Sequence, residues 1–236
     1  MLSIQNFSKS YDDKLAVKRI NLEVESGEIY GFIGHNGAGK TTTIKSIAGI
    51  LDFDDGDILI NGKSIKKDPI ACKSIMAYIP DNPELYDGLS GIKYLNFIAD
   101  IYKVSSERRI ELIKKYSEAF ELEANLGDSI SSYSHGMKQK LAIIAALIHE
   151  PKLLLLDEPF VGLDPKASHI LKMIMREICD QGGCIFFSTH VLEVVEKLCD
   201  HVCIIKNGEI IKDGTVEEVV GDQSLEDVFL ELAEHE

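Results

Sequence analysis

The chain has no long apolar run. Its longest candidate, Leu141-Ala142-Ile143-Ile144-Ala145-Ala146-Leu147-Ile148, falls far short of the roughly 18 residues needed to cross a bilayer and reads as a buried helix. Met1 to Phe7 lack both the basic region and the apolar stretch of a signal peptide, so the expected location is the cytoplasm. The five cysteines are odd in number and form no Cys-x-x-Cys pair. Cys199, His201 and Cys203 lie close together, but their spacing fits no usual zinc pattern. Small buried thiols between a helix and a strand are the expected reading. Basic charge is scarce: the formal net charge is −14. Past Lys212 there is no Lys or Arg, only acids such as Glu217, Glu218, Asp222, Glu226, Asp227 and Glu231. Such a surface repels a nucleic-acid backbone and argues against that class of partner. The acidic tail reads most simply as a solvated helix face. Internal repeats, low-complexity tracts and a linker between separable domains are also missing. At 236 residues, 45% hydrophobic and 27% charged, a single globular α/β domain is expected.

What is present begins with Gly34-His35-Asn36-Gly37-Ala38-Gly39-Lys40-Thr41, which fits the phosphate-loop pattern G-x-x-x-x-G-K-[ST]. An apolar run, Ile29 to Ile33, precedes it and reads as a buried strand. Thr42 to Ala48 follow and read as a helix. Strand, glycine loop and helix form the context in which the motif carries meaning. Glycines let the backbone wrap closely around an anion, and successive amide N–H groups with the helix N-terminus point at phosphate oxygens. Lys40 supplies a mobile positive charge for the β- and γ-phosphates, and Thr41 a hydroxyl for Mg²⁺.

Elsewhere the pattern is mixed. Leu2, Ile4 and Phe7, then Leu15, Val17, Ile20, Leu22 and Val24, indicate strands. Asp57 to Ile60, running into Asn61-Gly62, indicates a strand entering a tight hairpin. Ile75 to Ile79 is a strand halted by Pro80. From Asn82 the period changes. Ile92, Leu95, Ile98 and Ala99 recur at helical spacing, as do Ile110, Ile113, Tyr116, Ala119 and Phe120, so residues 84–148 read as a helical block. Leu153-Leu154-Leu155-Leu156 suits a central parallel strand. Asp164-Pro165 opens a helix over Lys166 to Cys179, and Cys184 to Phe187 is the next buried strand. Asn207-Gly208 signals a last hairpin, and Thr215-Val216-Glu217-Glu218 a capping box.

A phosphate loop needs a carboxylate partner for its metal. Asp157 ends the Leu153–Leu156 run, where it can hold Mg²⁺ beside Thr41, and Glu158 follows immediately, able to orient or deprotonate an attacking water. These pieces, taken with Tyr133-Ser134-His135-Gly136-Met137, Pro159, Gly162-Leu163-Asp164, Ser188-Thr189-His190 and Tyr11, resemble in order and spacing the ATP-binding cassette family, the ATPase subunits of ABC transporters. The resemblance covers essentially the whole chain. It implies a P-loop NTPase (RecA-like) core, residues 1–83 and 149–236, carrying an N-terminal antiparallel β subdomain, with residues 84–148 as an inserted helical subdomain.

It further implies an ATPase using ATP and Mg²⁺. Gly34, His35, Asn36, Gly37, Ala38, Gly39, Lys40, Thr41 and Thr42 would bind nucleotide, and Tyr11 would stack on adenine. Lys40, Glu158 and His190 would be catalytic. Ser134, His135, Gly136 and Asp164 would meet the nucleotide of a second cassette packed head to tail, identical or different. The remaining implied partner is a separate transmembrane permease, received over Pro83 to Ile101 with Tyr86 and Leu89 exposed, which places the chain peripherally on the inner face of the cell membrane.

Three positions depart from the family pattern. Asp81 stands where the family usually has glutamine; it can accept a metal or a water hydrogen bond but cannot donate, while Asn82 offers an amide one residue later. In the signature, His135 and Met137 replace a glycine and a glutamine. His135 either donates to phosphate or faces solvent. This version of the signature resembles ABC-2-type exporters. The alternatives are a non-transport ABC ATPase acting on nucleic acid or ribosomes, and a P-loop kinase or GTPase. The interval between phosphate loop and signature is too short for a repair-type coiled coil, only one cassette is present, and the acidic balance opposes the first alternative. The second leaves Ser134, Gly136 and His190 without a purpose, and no Asn-Lys-x-Asp string appears.

Overall fold

The computed structural model describes residues 1–12 and 14–234. Alternating apolar residues produce β1 (Leu2–Tyr11) and β2 (Lys14–Val24), which pair antiparallel and bury Leu2, Ile4, Phe7, Val17, Ile20, Leu22 and Val24. β3 (Ile29–Ile33) is buried throughout and leads through the glycine loop into α1 (Lys40–Ile47). β4 (Asp55–Ile60) and β5 (Lys63–Ser64) flank Asn61-Gly62, whose φ values of 49° and 75° are those of the expected tight turn. A short α2 (Pro69–Lys73), which the apolar pattern did not signal, precedes β6 (Met76–Ile79).

Three helices fill the expected helical block: α3 (Gly91–Ile101), α4 (Ser106–Ala119) and α5 (His135–Leu147). Ile110 is a miss within it. Its spacing put it on the apolar face, yet it is 69% exposed, while Leu112, outside the proposed series, is buried. β7 (Leu153–Asp157) is followed by α6 (Pro165–Asp180), capped by the Asp164 carboxylate, which accepts the Ala167 N–H at 2.8 Å. β8 (Cys184–Thr189), α7 (Leu192–Leu198), β9 (His201–Lys206) and β10 (Glu209–Thr215) come next. The Asn207-Gly208 turn and the Thr215/Glu218 capping box both form, the latter opening α8 (Val216–Val220). α9 (Leu225–Glu234) carries the tail acids Glu226, Asp227 and Glu231 exposed, as expected, but its other face is buried through Leu225 and Val228.

The strands form two sheets. One is antiparallel, in the order β2-β1-β4-β5; the other has the order β10-β9-β3-β8-β7-β6 and is parallel except at β10. Successive residues of the central strands point to opposite faces. Tyr30, Phe32, Leu153, Leu155, Cys184 and Phe186 pack with α1 and the antiparallel sheet. Ile29, Ile33, Leu154, Leu156, Ile185 and Phe187 pack with the helical side. Both faces are covered, which is why these strands read as continuous apolar runs. Cys179, Cys184 and Cys203 are buried and Cys199 is half-buried; burial pushes the Cys179 and Cys184 thiols up to about 12, so they remain protonated, unreactive packing groups.

Leu155→Ala empties a fully buried position in β7 and is expected to lower the unfolding free energy by about 2–5 kcal/mol. Denaturant unfolding measures it. A wild-type midpoint would mean that β7 is not the packed centre of the sheet.

Candidate active site

Three neighbouring parallel strands set the site. In the β3–β8 pairing Ile33 lies opposite Thr189, and in the β7–β8 pairing Asp157 lies opposite Ser188. The chain segments leaving these strands, Gly34 onward, His190 and Glu158, therefore emerge side by side at the carboxyl edge of the sheet, where open α/β folds place their ligands. Gly34, His35, Asn36, Glu158, Thr189, His190, Leu192 and Phe229 line a common cavity of about 440 Å³.

The phosphate loop has little steric freedom around it. A Cβ on Gly34 would lie 2.3 Å from the Ile205 carbonyl oxygen, and one on Gly39 would lie 2.9 Å from that of Ala16. Gly39 caps α1 at φ 113°, a conformation closed to ordinary side chains. Inside the loop the Ala38 N–H donates to the His35 carbonyl at 3.1 Å. Lys40 is 7% exposed and folds back onto the loop, its Nζ donating to the carbonyls of Gly34 (2.6 Å) and His35 (3.2 Å). Burial pushes the Lys40 ammonium down, against the opposing pull of the Glu158 and Asp157 carboxylates. Its Nζ is thus held against the carbonyls of the loop that precedes it. Thr41 is exposed in the first turn of α1.

The carboxylates have distinct surroundings. Asp157 is 2% exposed; its Oδ1 accepts the Ser188 hydroxyl at 2.5 Å, and its Oδ2 is buried with no hydrogen-bond donor among the described residues. A buried carboxylate oxygen without a partner is costly unless a cation or water meets it, so the donor set here fits a hard divalent metal. Glu158 has φ 50°, left-handed for a residue with a side chain. That turn is tied by the Glu158 N–H donating to the Ser188 carbonyl at 3.1 Å, and the side chain reaches the His190 ring, Oε2 to Nδ1 at 3.0 Å. The Glu158 carboxylate is sheltered and the His190 ring is largely exposed. An acid–imidazole pair beside a phosphate cradle can hold and deprotonate a water.

The other sequence-derived residues fall in two groups. Tyr11 belongs near the loop: it is half-exposed, its hydroxyl lies 3.5 Å from Thr42 Oγ1, and the Lys9 ammonium sits 5.4 Å from its ring centroid. Ser134, His135, Gly136, Asp164 and Asp81 do not line the cavity. Ser134 caps α5, accepting the Met137 N–H at 3.2 Å. His135 is exposed, in accord with one of its two expected settings, but its ring also lies over Gly162, where a Cβ would come within 2.6 Å of it. Asp164 pairs with Lys140 at 2.7 Å. Asp81 is exposed and accepts the N–H of its own neighbour, Asn82, at 2.8 Å. Leu89, expected to be exposed, is partly buried against the core, whereas Tyr86 is 60% exposed. Sequence reasoning missed Ser188 and Phe229. The serine sits in the Ser188-Thr189-His190 string, but only strand register sets it against Asp157. The phenylalanine comes from the distant tail and carries no local signal.

Residues 17–161 match the family model described as ABC transporter. The ABC-type transporter ATP-binding protein EcsA of Bacillus subtilis (strain 168) is 36% identical over 241 residues, covering 100% of this chain and 98% of that protein. A solved structure of an ATP-binding subunit of an ABC transporter superposes with a TM-score of 0.95 at 35% identity, over 99% of this chain and 100% of that one. A dimeric ATP-binding cassette in a post-hydrolysis state, bound to ADP and Pi, shares the fold at a TM-score of 0.82 and 22% identity, over 92% of this chain and 99% of that chain.

Because Ser134 caps α5, Ser134→Ala is expected to cost about 1 kcal/mol of stability, read from chemical denaturation of the nucleotide-free protein. An unchanged unfolding curve would mean that the cap is not formed.

Proposed function

This chain belongs to the ABC transporter family and is one of its ATP-hydrolysing subunits, and from that premise we propose that it powers export through a separate membrane permease by ATP-dependent closure of two cassettes. The observation that carries the reading is the juxtaposition, at adjacent strand ends, of the Lys40 cradle, the half-satisfied Asp157 and the Glu158–His190 pair. In this reading the loop from Gly34 to Thr42 wraps the phosphates, and Tyr11 carries the adenine on its exposed ring. Thr41 and Asp157 would hold Mg²⁺, which supplies charge neutralisation to the β- and γ-phosphates when bound; Ser188 fixes the carboxylate for it. Asp81, whose Oδ1 accepts the Asn82 N–H, would be a further acceptor for the metal or its water. Glu158 takes the proton of the attacking water as ATP and water become ADP and phosphate, and His190 steadies Glu158 and the γ-phosphate.

The cavity holds only half of such a site. In this reading Ser134, exposed, and Gly136, half-buried, at the start of α5 meet with the helix N-terminus a γ-phosphate bound by another cassette. Closure then lasts while the triphosphate is intact, because differential affinity for the closed state is what shifts the population. The permease reading is supported by an exposed apolar surface beside Pro83 to Ile101. Tyr86, Phe97 and Ile101 are 60%, 41% and 56% exposed, and Tyr86 packs edge-on against both Tyr94 and Phe97. No described helix is long and apolar enough to cross a membrane, so in this reading the pathway comes from the partner and the chain sits peripherally on the inner membrane face. Export as the direction rests on the form of the signature, Tyr133-Ser134-His135-Gly136-Met137.

Lys40→Ala is expected to abolish hydrolysis and weaken ATP binding, both measurable on the purified subunit. Glu158→Gln should retain ATP yet lose turnover by about 10²–10⁴-fold, and should elute as a dimer with ATP and as a monomer without it. Wild-type turnover in Glu158→Gln removes the base assignment. A monomer in both conditions, with the permease subunit present, removes the clamp.

A further inference from the structure

We infer that Phe229, on the C-terminal helix α9, is a positioning residue for the phosphate loop and acts through His35. The two rings lie 4.6 Å apart between centroids, tilted by 50°, and Phe229 shares the cavity wall with Glu158 and His190. The helix is anchored independently of that contact. Leu225 and Val228 are buried, the Leu225 N–H donates to Glu196 Oε2 of α7 at 3.1 Å, and the Lys206 ammonium donates to the Leu232 carbonyl at 3.0 Å. Lys206 ends β9, one residue past Ile205, whose carbonyl oxygen closes on Gly34. α9 is therefore braced on both sides of the site, on the helix that follows His190 and on the strand beside the phosphate loop.

The loop it touches changes its internal contacts in the proposed reaction. Between Gly34 and Gly39 it contains three glycines, two of them at positive φ. Its internal ties include the two hydrogen bonds from Lys40 to the carbonyls of Gly34 and His35. Those bonds have to break when Lys40 turns to a phosphate, a step that rests on the nucleotide-binding role proposed for the site. The ring of Phe229 on His35 does not depend on Lys40, so it holds the start of the loop in shape while the lysine changes partners. Aromatic pairing is sensitive to the presence of a ring face and not merely to apolar bulk.

The test is steady-state ATP hydrolysis and ATP titration on the full chain. Phe229→Leu keeps apolar volume and removes the ring. It is expected to raise KM for ATP about three- to tenfold, the scale of one aromatic contact, with kcat within about twofold and the nucleotide-free unfolding midpoint unchanged. Phe229→Trp is expected to restore KM. His35→Ala should raise KM to the same extent, and the double variant Phe229→Leu/His35→Ala should lose no more than either single one. A wild-type KM in Phe229→Leu overturns the inference, as do additive losses in the double variant. Should Phe229→Leu fail to fold, His35→Ala and Phe229→Trp decide the same question: unchanged KM in the first, or a rise in the second, overturns it. Lys40→Ala separates this outcome from failure of the nucleotide-binding role, since undiminished ATP binding in that variant would count against the site itself and not against Phe229.

Discussion

The lateral register of β3, β8 and β7 is the constraint on which the rest depends. Five residues of β3 pair with β8 and five of β7 pair with β8, all in parallel register and all buried. A slip of one residue would turn every side chain of a strand to the opposite layer, exchanging the partners of Phe186 and Phe187, Leu154 and Leu155. Two different cores, one against α1 and the antiparallel sheet and one against the helices, forbid that exchange. The geometry of the strand ends is therefore held by packing on both faces, and the chemistry is placed where those ends stop. Burial and the position of the candidate site are linked by a single structural fact.

Electrostatics then works locally against the global balance. A net charge of −14 repels anions at long range, yet the cradle gathers backbone N–H groups, a helix N-terminus and Lys40 within one turn. The same short stretch brings Asp157 and Glu158 close enough to pull on the Lys40 ammonium while burial pushes it the other way. One carboxylate is fixed by Ser188 with an oxygen left over for a cation; the other is turned outward by a left-handed backbone to meet His190. Two adjacent acids thus have different surroundings because β7 ends between them.

The signature region is organised around its own subunit first. His135 lies over Gly162, a Cβ on Gly136 would come within 2.9 Å of the Gly162 carbonyl oxygen, and Lys140 pairs with Asp164, so the start of α5 and the loop after Glu158 form one packed unit. This gives His135 a use beyond both donation to phosphate and exposure to solvent. Gly162, at φ 80° and with no Cβ, is what makes room for the ring.

Much of this was legible in the residues alone. The glycine loop between a strand and a helix, the Leu153–Leu156 strand with its acid, the Asp164-Pro165 helix start, both Asn-Gly turns and the Thr215 capping box are local signals, each governed by the φ, ψ or hydrogen bonding of a few neighbours. Local chemistry determined most of the elements, though not α2, and the position of the glycine loop and the acids. Contacts between distant segments needed the tertiary structure: Ser188 against Asp157, Glu158 against His190, His135 over Gly162, Leu89 folded inward, and the tail helix that brings Phe229 to His35. Sheet register and the packing of a helix far along the chain decide which side chains meet, and no short-range pattern encodes either.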